Sequence, residues 1–314
     1  AQASWLPDGS GLLVIARSPE QHEAQVWLLP YPEGKPRSIT NDLSEYRIVS
    51  LTKDGHSLLT IAYDAWSDVW SKPPEGSERP KKLTSGQSDG LRGVALAPDG
   101  RVAFASIESG TREIWTMNAD GGGNTQVTFD DSENRYPVFS PDGKSIAYVS
   151  ITGSGANLRL VGADGTNGRA LAEGVLIDSP GFTPDGRWVF FGRPGSLMRV
   201  AVDGGAVAEL ARFDAVRPAV SHDGKSIACF CAERAGDPWS ICILSSEGGS
   251  VVKKVSAPAF TSYSLLRWSE DDRMLYTNAG PSDRANLWAV PLDGSAWRRA
   301  TDFDERILFH FDLE

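Results

Sequence analysis

Ser140-Pro141-Asp142-Gly143-Lys144-Ser145-Ile146-Ala147-Tyr148 is the stretch on which the fold turns, because versions of it recur along the chain. In it Pro presets φ, Asp bonds back to its own turn and Gly accepts φ > 0, after which a β-rich run begins. The turn aspartate falls at Asp8, Asp54, Asp99, Asp142, Asp185, Asp223 and Asp271, so the successive gaps are 46, 45, 43, 43, 38 and 48 residues. A period of about 40–45 residues with strand-like flanks predicts an all-β chain, a seven-bladed β-propeller of four-stranded antiparallel blades.

One unit shows the plan. Tyr136-Pro137-Val138-Phe139 is a short first strand, Ser145 to Ser150 the second, Leu158-Arg159-Leu160-Val161 the third, and Arg169-Ala170-Leu171 a short outer strand after Ala163-Asp164-Gly165. Hairpins join all four. The spacing places blades at 1–41, 42–86, 87–130, 131–173, 174–212, 213–258 and 259–303 of one domain, with 304–314 as a candidate ring-closing strand. Third strands favour an aromatic residue at Trp27, Trp70, Trp115 and Trp288, read as core between blades. Units six and seven depart from the turn pattern, with His222 in place of Pro and Glu270-Asp271-Asp272 in place of Pro-Asp-Gly.

A net charge of −10 over 314 residues disfavours nucleic acid and anionic lipid as partners. No stretch approaches the roughly 20 apolar residues of a membrane helix. The chain opens at Ala1-Gln2-Ala3-Ser4-Trp5, already inside a repeat, which leads us to expect an excised part of a longer protein. Three cysteines leave two readings open. The plain one is three small buried hydrophobes. The other is one cross-strand disulfide, since Cys229 and Cys231 share a strand face and Cys242 lies on the next strand.

The Ser-Pro-Asp-Gly turn, the Leu-Trp third strand ending in Asp-Gly and the Leu-Thr fourth strand together resemble the TolB-like, WD-like propeller repeats, most closely at Ser140–Tyr148, Ile114–Thr128 and Asn286–Thr301. The resemblance extends to the propeller portion of bacterial serine/threonine kinases and winged-helix regulators. It implies a sensory or protein-interaction module, extracytoplasmic and periplasmic in location, in a larger bacterial signalling protein. No kinase or winged-helix motif occurs in this chain.

The chemistry is therefore sought in the loops. The turn aspartates are read as caps of their own turns. His22, His56, His222 and His310 are scattered, and none has a partner at metal-ligand spacing. No cofactor is expected. Seven residues before each turn aspartate, on the opposite rim, stand Ala1, Arg47, Arg92, Arg135, Asp178, Val216 and Ser264, with Arg217 one step away. Glu45, Asp89, Asp131 and Glu133 lie beside them. Such arginines hold a carboxylate or an acidic segment by bidentate hydrogen bonds; the plain alternative is a set of hydrated surface ion pairs. Trp66, between Asp64 and Asp68, is read as folded onto a neighbouring blade, with an exposed interaction anchor as the alternative. The functional expectation is a non-catalytic monomer that binds a protein, peptide or small ligand at its loop-bearing face. The alternatives are a hydrolase or lyase with a metal or carboxylates at the channel mouth, and an architectural spacer.

Overall fold

The computed structural model describes residues 3–16, 24–42, 44–63, 66–72, 80–86, 88–130, 132–232, 237–256, 264–280, 285–302 and 310–313. These contain strands and turns and no helix. The chain divides into two compact units, Ala1–Trp66 and Ser67–Glu314, and the boundary falls inside the second repeat.

In the first unit β1 (Ala3–Trp5), β2 (Gly11–Ala16), β3 (Gln25–Pro30) and β4 (Arg37–Ser38) form a four-stranded antiparallel sheet in chain order. β5 (Glu45–Leu51) and β6 (Leu58–Tyr63) form a hairpin. Leu13, Val26 and Val49 are its buried core.

The second unit opens with the pair β7 (Trp70–Ser71) and β8 (Lys81–Lys82). Five four-stranded antiparallel sheets follow. The third-repeat sheet holds β9 (Val94–Leu96), β10 (Val102–Ser106), β11 (Glu113–Met117) and β12 (Thr125–Gln126). The fourth holds β13 (Glu133–Phe139), β14 (Ser145–Thr152), β15 (Gly155–Gly162) and β16 (Arg169–Glu173). The fifth holds β17 (Gly181–Phe182), β18 (Trp188–Arg193), β19 (Ser196–Ala201) and β20 (Ala208–Ala211). The sixth holds β21 (Asp214–Val220), β22 (Ser226–Ala232), β23 (Ser240–Ser245) and β24 (Val251–Ser256). The seventh holds β25 (Leu266–Trp268), β26 (Met274–Ala279), β27 (Asn286–Pro291) and β28 (Arg298–Arg299).

In the third to sixth repeats the second strands are apolar on both faces because both faces are covered. Side chains alternate across a strand with period two. In β14, Ile146 and Tyr148 pack with Ala103 and Ala105 of the third-repeat sheet. Ala147 and Val149 pack instead with Val189 and Phe191 of the fifth. The fifth and sixth sheets meet through Phe190, Leu197, Ile227 and Leu244, and the sixth and seventh through Phe230, Ile243, Trp268 and Leu275. Burying each such side chain is worth about 1.5–3 kcal/mol.

The turns carry the chemistry expected of them. Asp142 accepts from Ser140 Oγ at 2.6 Å and from the Lys144 N–H at 3.1 Å. Asp54, Asp185, Asp223 and Asp271 repeat both bonds. Hydrogen bonding holds all seven turn carboxyls below the ordinary aspartate range. The two departures from the pattern compensate each other. Asp272 stands in the left-handed position usually given to Gly, with φ 54°. Its carboxylate accepts the N–H groups of His222 and Asp223 at 2.9 and 3.0 Å, and the first of these exists only because His replaces Pro.

Two expectations are corrected here. Cys231 and Cys242 are joined by a disulfide, with Cα atoms 5.9 Å apart, and Cys229 is a buried free thiol. In the ladder Cys242 stands opposite Cys229 and Cys231 opposite Ser240, so the bond runs diagonally between β22 and β23. Burial, with the Asp178 carboxylate adding to it, pushes the Cys229 thiol far above its usual range, which makes it inert in the folded chain. Thiol labelling is therefore expected to find no reactive Cys in the folded protein, one after denaturation and three after denaturation with reductant; three without reductant would rule out the bond. The third-strand tryptophans are the second correction: Trp70 is exposed, while Trp27, Trp115 and Trp288 are half-buried rather than sealed in the core. Trp27 and Trp288 each donate the indole N–H to the last carbonyl of the preceding strand, Ala16 and Ala279.

Candidate functional site

Two first strands of the second unit, β13 and β21, enter their sheets through an irregularity. The ladder register shifts between Arg135 and Val138 in β13 and between Val216 and Ala219 in β21. Within these bulges Tyr136 and Arg217 adopt φ of 55° and 57°, and each precedes a proline. Bulges of this kind re-aim the chain at strand ends. The third repeat uses Gly93 at the same position, with φ 127°. A Cβ there would lie 2.7 Å from Pro137 Cδ and 2.8 Å from Tyr136 Cα. Gly93 thus lets the Tyr136 N–H reach the Arg92 carbonyl at 2.7 Å, which fixes the backbone of Arg92.

Arg217 is 8% exposed. Its backbone N–H donates to Asp178, and its Nε lies 3.0 Å from Asp178 Oδ1. Burial pushes the Asp178 carboxyl up, and the Arg217 charge and N–H oppose it without cancelling it. Arg135 and Arg112 converge on one oxygen of Glu133, Arg112 Nε at 3.2 Å, and Arg112 Nη1 also reaches Ser88 Oγ at 3.3 Å. Burial lowers the Arg112 guanidinium, Glu133 counters this, and the charges of Arg135 and Arg92 lower it further. Burial works to raise Glu133, but the two arginines outweigh it and hold the carboxyl below the usual glutamate range.

The segment His310–Leu313 lies in the midst of this group. His310 is buried, its ring tilted against that of Tyr136 at 5.7 Å. Burial, then the charges of Arg217, Arg267 and Arg92, bring its pKa down to about 3, so it is neutral. Phe311 packs on Leu265 and Leu287 of the seventh repeat. The Asp312 carboxylate bridges Arg267 Nε in β25 and the Leu96 N–H in β9, the latter at 2.9 Å.

Arg92, Arg112, Arg135, Arg217 and Arg267 therefore act on a shared interior, and Arg92 is felt at both Arg112 and His310. Among the described residues three carboxylates face them, Glu133, Asp178 and Asp312. Guanidinium groups gathered in this way suit a carboxylate or other anion, which they bind through paired N–H donors. No three His, Cys, Asp or Glu among the described residues form a metal shell.

The register argument thus places Arg92, Arg135, Asp178 and Arg217 in one neighbourhood. Asp178 faces inward as the partner of Arg217. Asp89 is buried and accepts the Gly86 N–H. Arg47 belongs to the first unit, exposed in the irregular stretch of β5. Trp66 corrects the plain reading: it is 68% exposed rather than folded away. Asp131, the Glu45 side chain, Ala1, His22, Asp64 and Ala65 lie outside the described residues. So do 304–309 of the proposed closing strand, of which His310–Leu313 is not a strand. Sequence reasoning missed Arg112, Arg267, His310 and Asp312. Arg267 carried a signal: four residues before the turn aspartate, other repeats have Ser4, Ser50, Ala95, Val138, Gly181 and Ala219.

The class defined by these features is an all-β protein of repeated four-stranded antiparallel sheets. Residues 75–215 match PD40, the TolB beta propeller domain. A TolB homolog of Chlorobium luteolum is 30% identical over 178 residues, covering 50% of this chain and 40% of that protein. An uncharacterized protein of Agrobacterium fabrum is 28% identical over 195 residues, covering 57% of this chain and 65% of its own. The chain spans less than two thirds of the length of these curated relatives. The crystal structure of TolB from Acinetobacter baumannii superposes with a TM-score of 0.60 at 18% identity, covering 91% of this chain and 62% of that one. The likeness shows the fold, a β-propeller.

Proposed function

We propose that this chain is a non-catalytic, monomeric binding module, a seven-bladed propeller that takes up an acidic protein segment, peptide or small carboxylate ligand at the mouth lined by Arg92, Arg112, Arg135, Arg217 and Arg267. The observation that carries this is five interior guanidinium groups facing three carboxylates, on a protein whose net charge is −10. A local cationic site on an acidic protein is selective, because the remaining surface repels the same ligand. Trp66, exposed in the first unit, is a second anchor for a protein partner. The Cys231–Cys242 bond supports an extracytoplasmic location, since such bonds persist in oxidising compartments. The module is proposed to sit within a larger bacterial signalling protein, although none of the relatives reported above is a kinase or a winged-helix protein.

Fluorescein-labelled hexaglutamate tests the reading. Replacing Arg92 and Arg135 together by Ala is expected to weaken its binding tenfold or more, about 1.4 kcal/mol, while Arg47→Ala, in the first unit, serves as a separate comparison. Unaltered anisotropy titrations would remove the arginine mouth as the binding site.

A further inference from the structure

The segment His310–Leu313 shows in detail how this mouth holds a ligand. Phe311 is buried against Leu265 and Leu287, with Tyr276 packed alongside. One residue on, the Asp312 carboxylate takes Arg267 from one first strand and the Leu96 N–H from another. Those two strands, β25 and β9, belong to the seventh and third repeats. The Leu96 N–H is available because β9 pairs on one side only, with β10, which leaves its other edge facing the mouth. A guanidinium and a backbone N–H directed at one carboxylate make charge-assisted bonds, about twice as strong as neutral ones. An apolar seat followed at once by a carboxylate clamp is a two-point recognition site.

We propose that the mouth reads an aromatic residue followed by an acidic one in an extended peptide, and that His310–Leu313 occupies this site as a built-in competitor. This rests on the binding role proposed above and names its ligand class and its regulation. The segment is not sealed into the fold along its whole length. His310 and Phe311 are buried, Asp312 is half-buried and Leu313 is exposed. Its clamp is partly wet, with the Arg267 and Asp312 side chains 20% and 17% exposed, so an incoming carboxylate has access to the same donors. The competition has a predictable scale. A segment carried on the same chain as its site acts at an effective concentration on the order of millimolar. If its intrinsic Kd is about 100 μM, it is bound roughly ten to one, and an external peptide of the same chemistry binds about tenfold more weakly than to an emptied site.

The test uses fluorescein-labelled His-Phe-Asp-Leu peptide, blocked at its far end, against the full chain. Wild type is expected to bind it at least tenfold more weakly than a Phe311→Ala/Asp312→Ala variant. Adding Arg267→Ala to that variant, or replacing the peptide's Asp by Asn or its Phe by Ala, is expected to remove at least tenfold of the gain. Equal affinity for wild type and variant overturns the competitor role, and affinity unaffected by Arg267→Ala overturns the site. If the double variant fails to fold, Asp312→Asn decides, because it keeps the shape and removes the charge: a several-fold tighter peptide supports the proposal and an unchanged one overturns it. Hexaglutamate separates this inference from the one it rests on. Binding of hexaglutamate with no binding of the peptide to the folded variant leaves the anion-binding role standing and overturns the aromatic–acidic reading, whereas loss of both overturns both.

Discussion

Asp178→Ala is expected to destabilise the chain by about 3–5 kcal/mol, the usual cost of removing one partner of a buried ion pair. Arg217 would remain inside with 8% of its surface exposed and without the carboxylate 3.0 Å from its Nε. The Arg217 N–H, which also donates to Asp178, loses its acceptor in the same step. Relaxation is restricted because Arg217 sits at φ 57° in front of Pro218, inside a bulge that fixes where its side chain leaves the strand. The double variant Asp178→Ala/Arg217→Leu is expected to recover much of the loss, since replacing a buried pair by apolar groups is often neutral. Urea unfolding measures both. A single variant within 1 kcal/mol of wild type would mean that the pair behaves as a solvated surface bridge.

The second large effect is a loss of stability in mild acid that originates at His310. In the folded chain burial and three arginines hold its pKa at about 3, against 6.5 for the free side chain. As pH falls below about 6.5, the unfolded chain takes up a proton that the folded chain refuses. Stability therefore falls, by up to about 1.4 kcal/mol per pH unit, until the folded pKa is reached. Summed over that window the effect is about 4–5 kcal/mol. The turn aspartates act in a different range: their folded pKa values are lowered, so their contribution is lost only below about pH 4.

 Asp178 works in the opposite direction, because its carboxyl is raised in the fold and its protonation favours the folded chain as pH drops. His310→Gln is neutral at every pH, so its unfolding midpoint is expected to fall less than that of wild type between pH 6.5 and 4. Parallel curves for the two proteins would show that His310 titrates freely.

The strand plan was legible because its determinants are local. A Ser or Thr two residues before the turn Asp, and an N–H two residues after it, close the same bonds in repeat after repeat. The positions of Arg92 and Arg135 were legible for a related reason: counting back from a fixed turn reaches the same level of each first strand, and Arg217 lies one step from that count. Arg112 escaped that count because it enters from the loop between the second and third strands, just before β11. Asp312 escaped because its partner Leu96 is 216 residues away, and no periodicity connects them. The cysteine pairing was not legible either. Strand register sets Cys242 opposite Cys229, yet the bond forms to Cys231 on the diagonal. Trp66 and Trp70 were misjudged because aromatic size favours burial on average and says nothing about whether a particular neighbour covers the ring.

Each four-stranded sheet is drawn from one uninterrupted stretch of chain and its ladders stay within that stretch, while apolar packing and a few side-chain and loop hydrogen bonds link neighbouring sheets of the second unit. A gene segment of one repeat length therefore encodes a complete hydrogen-bonded tile with two sticky sides. Unequal recombination can duplicate or delete such a tile without breaking a ladder, so inheritance acts on whole tiles, and sequence drift is left to work on the rims where the loops differ.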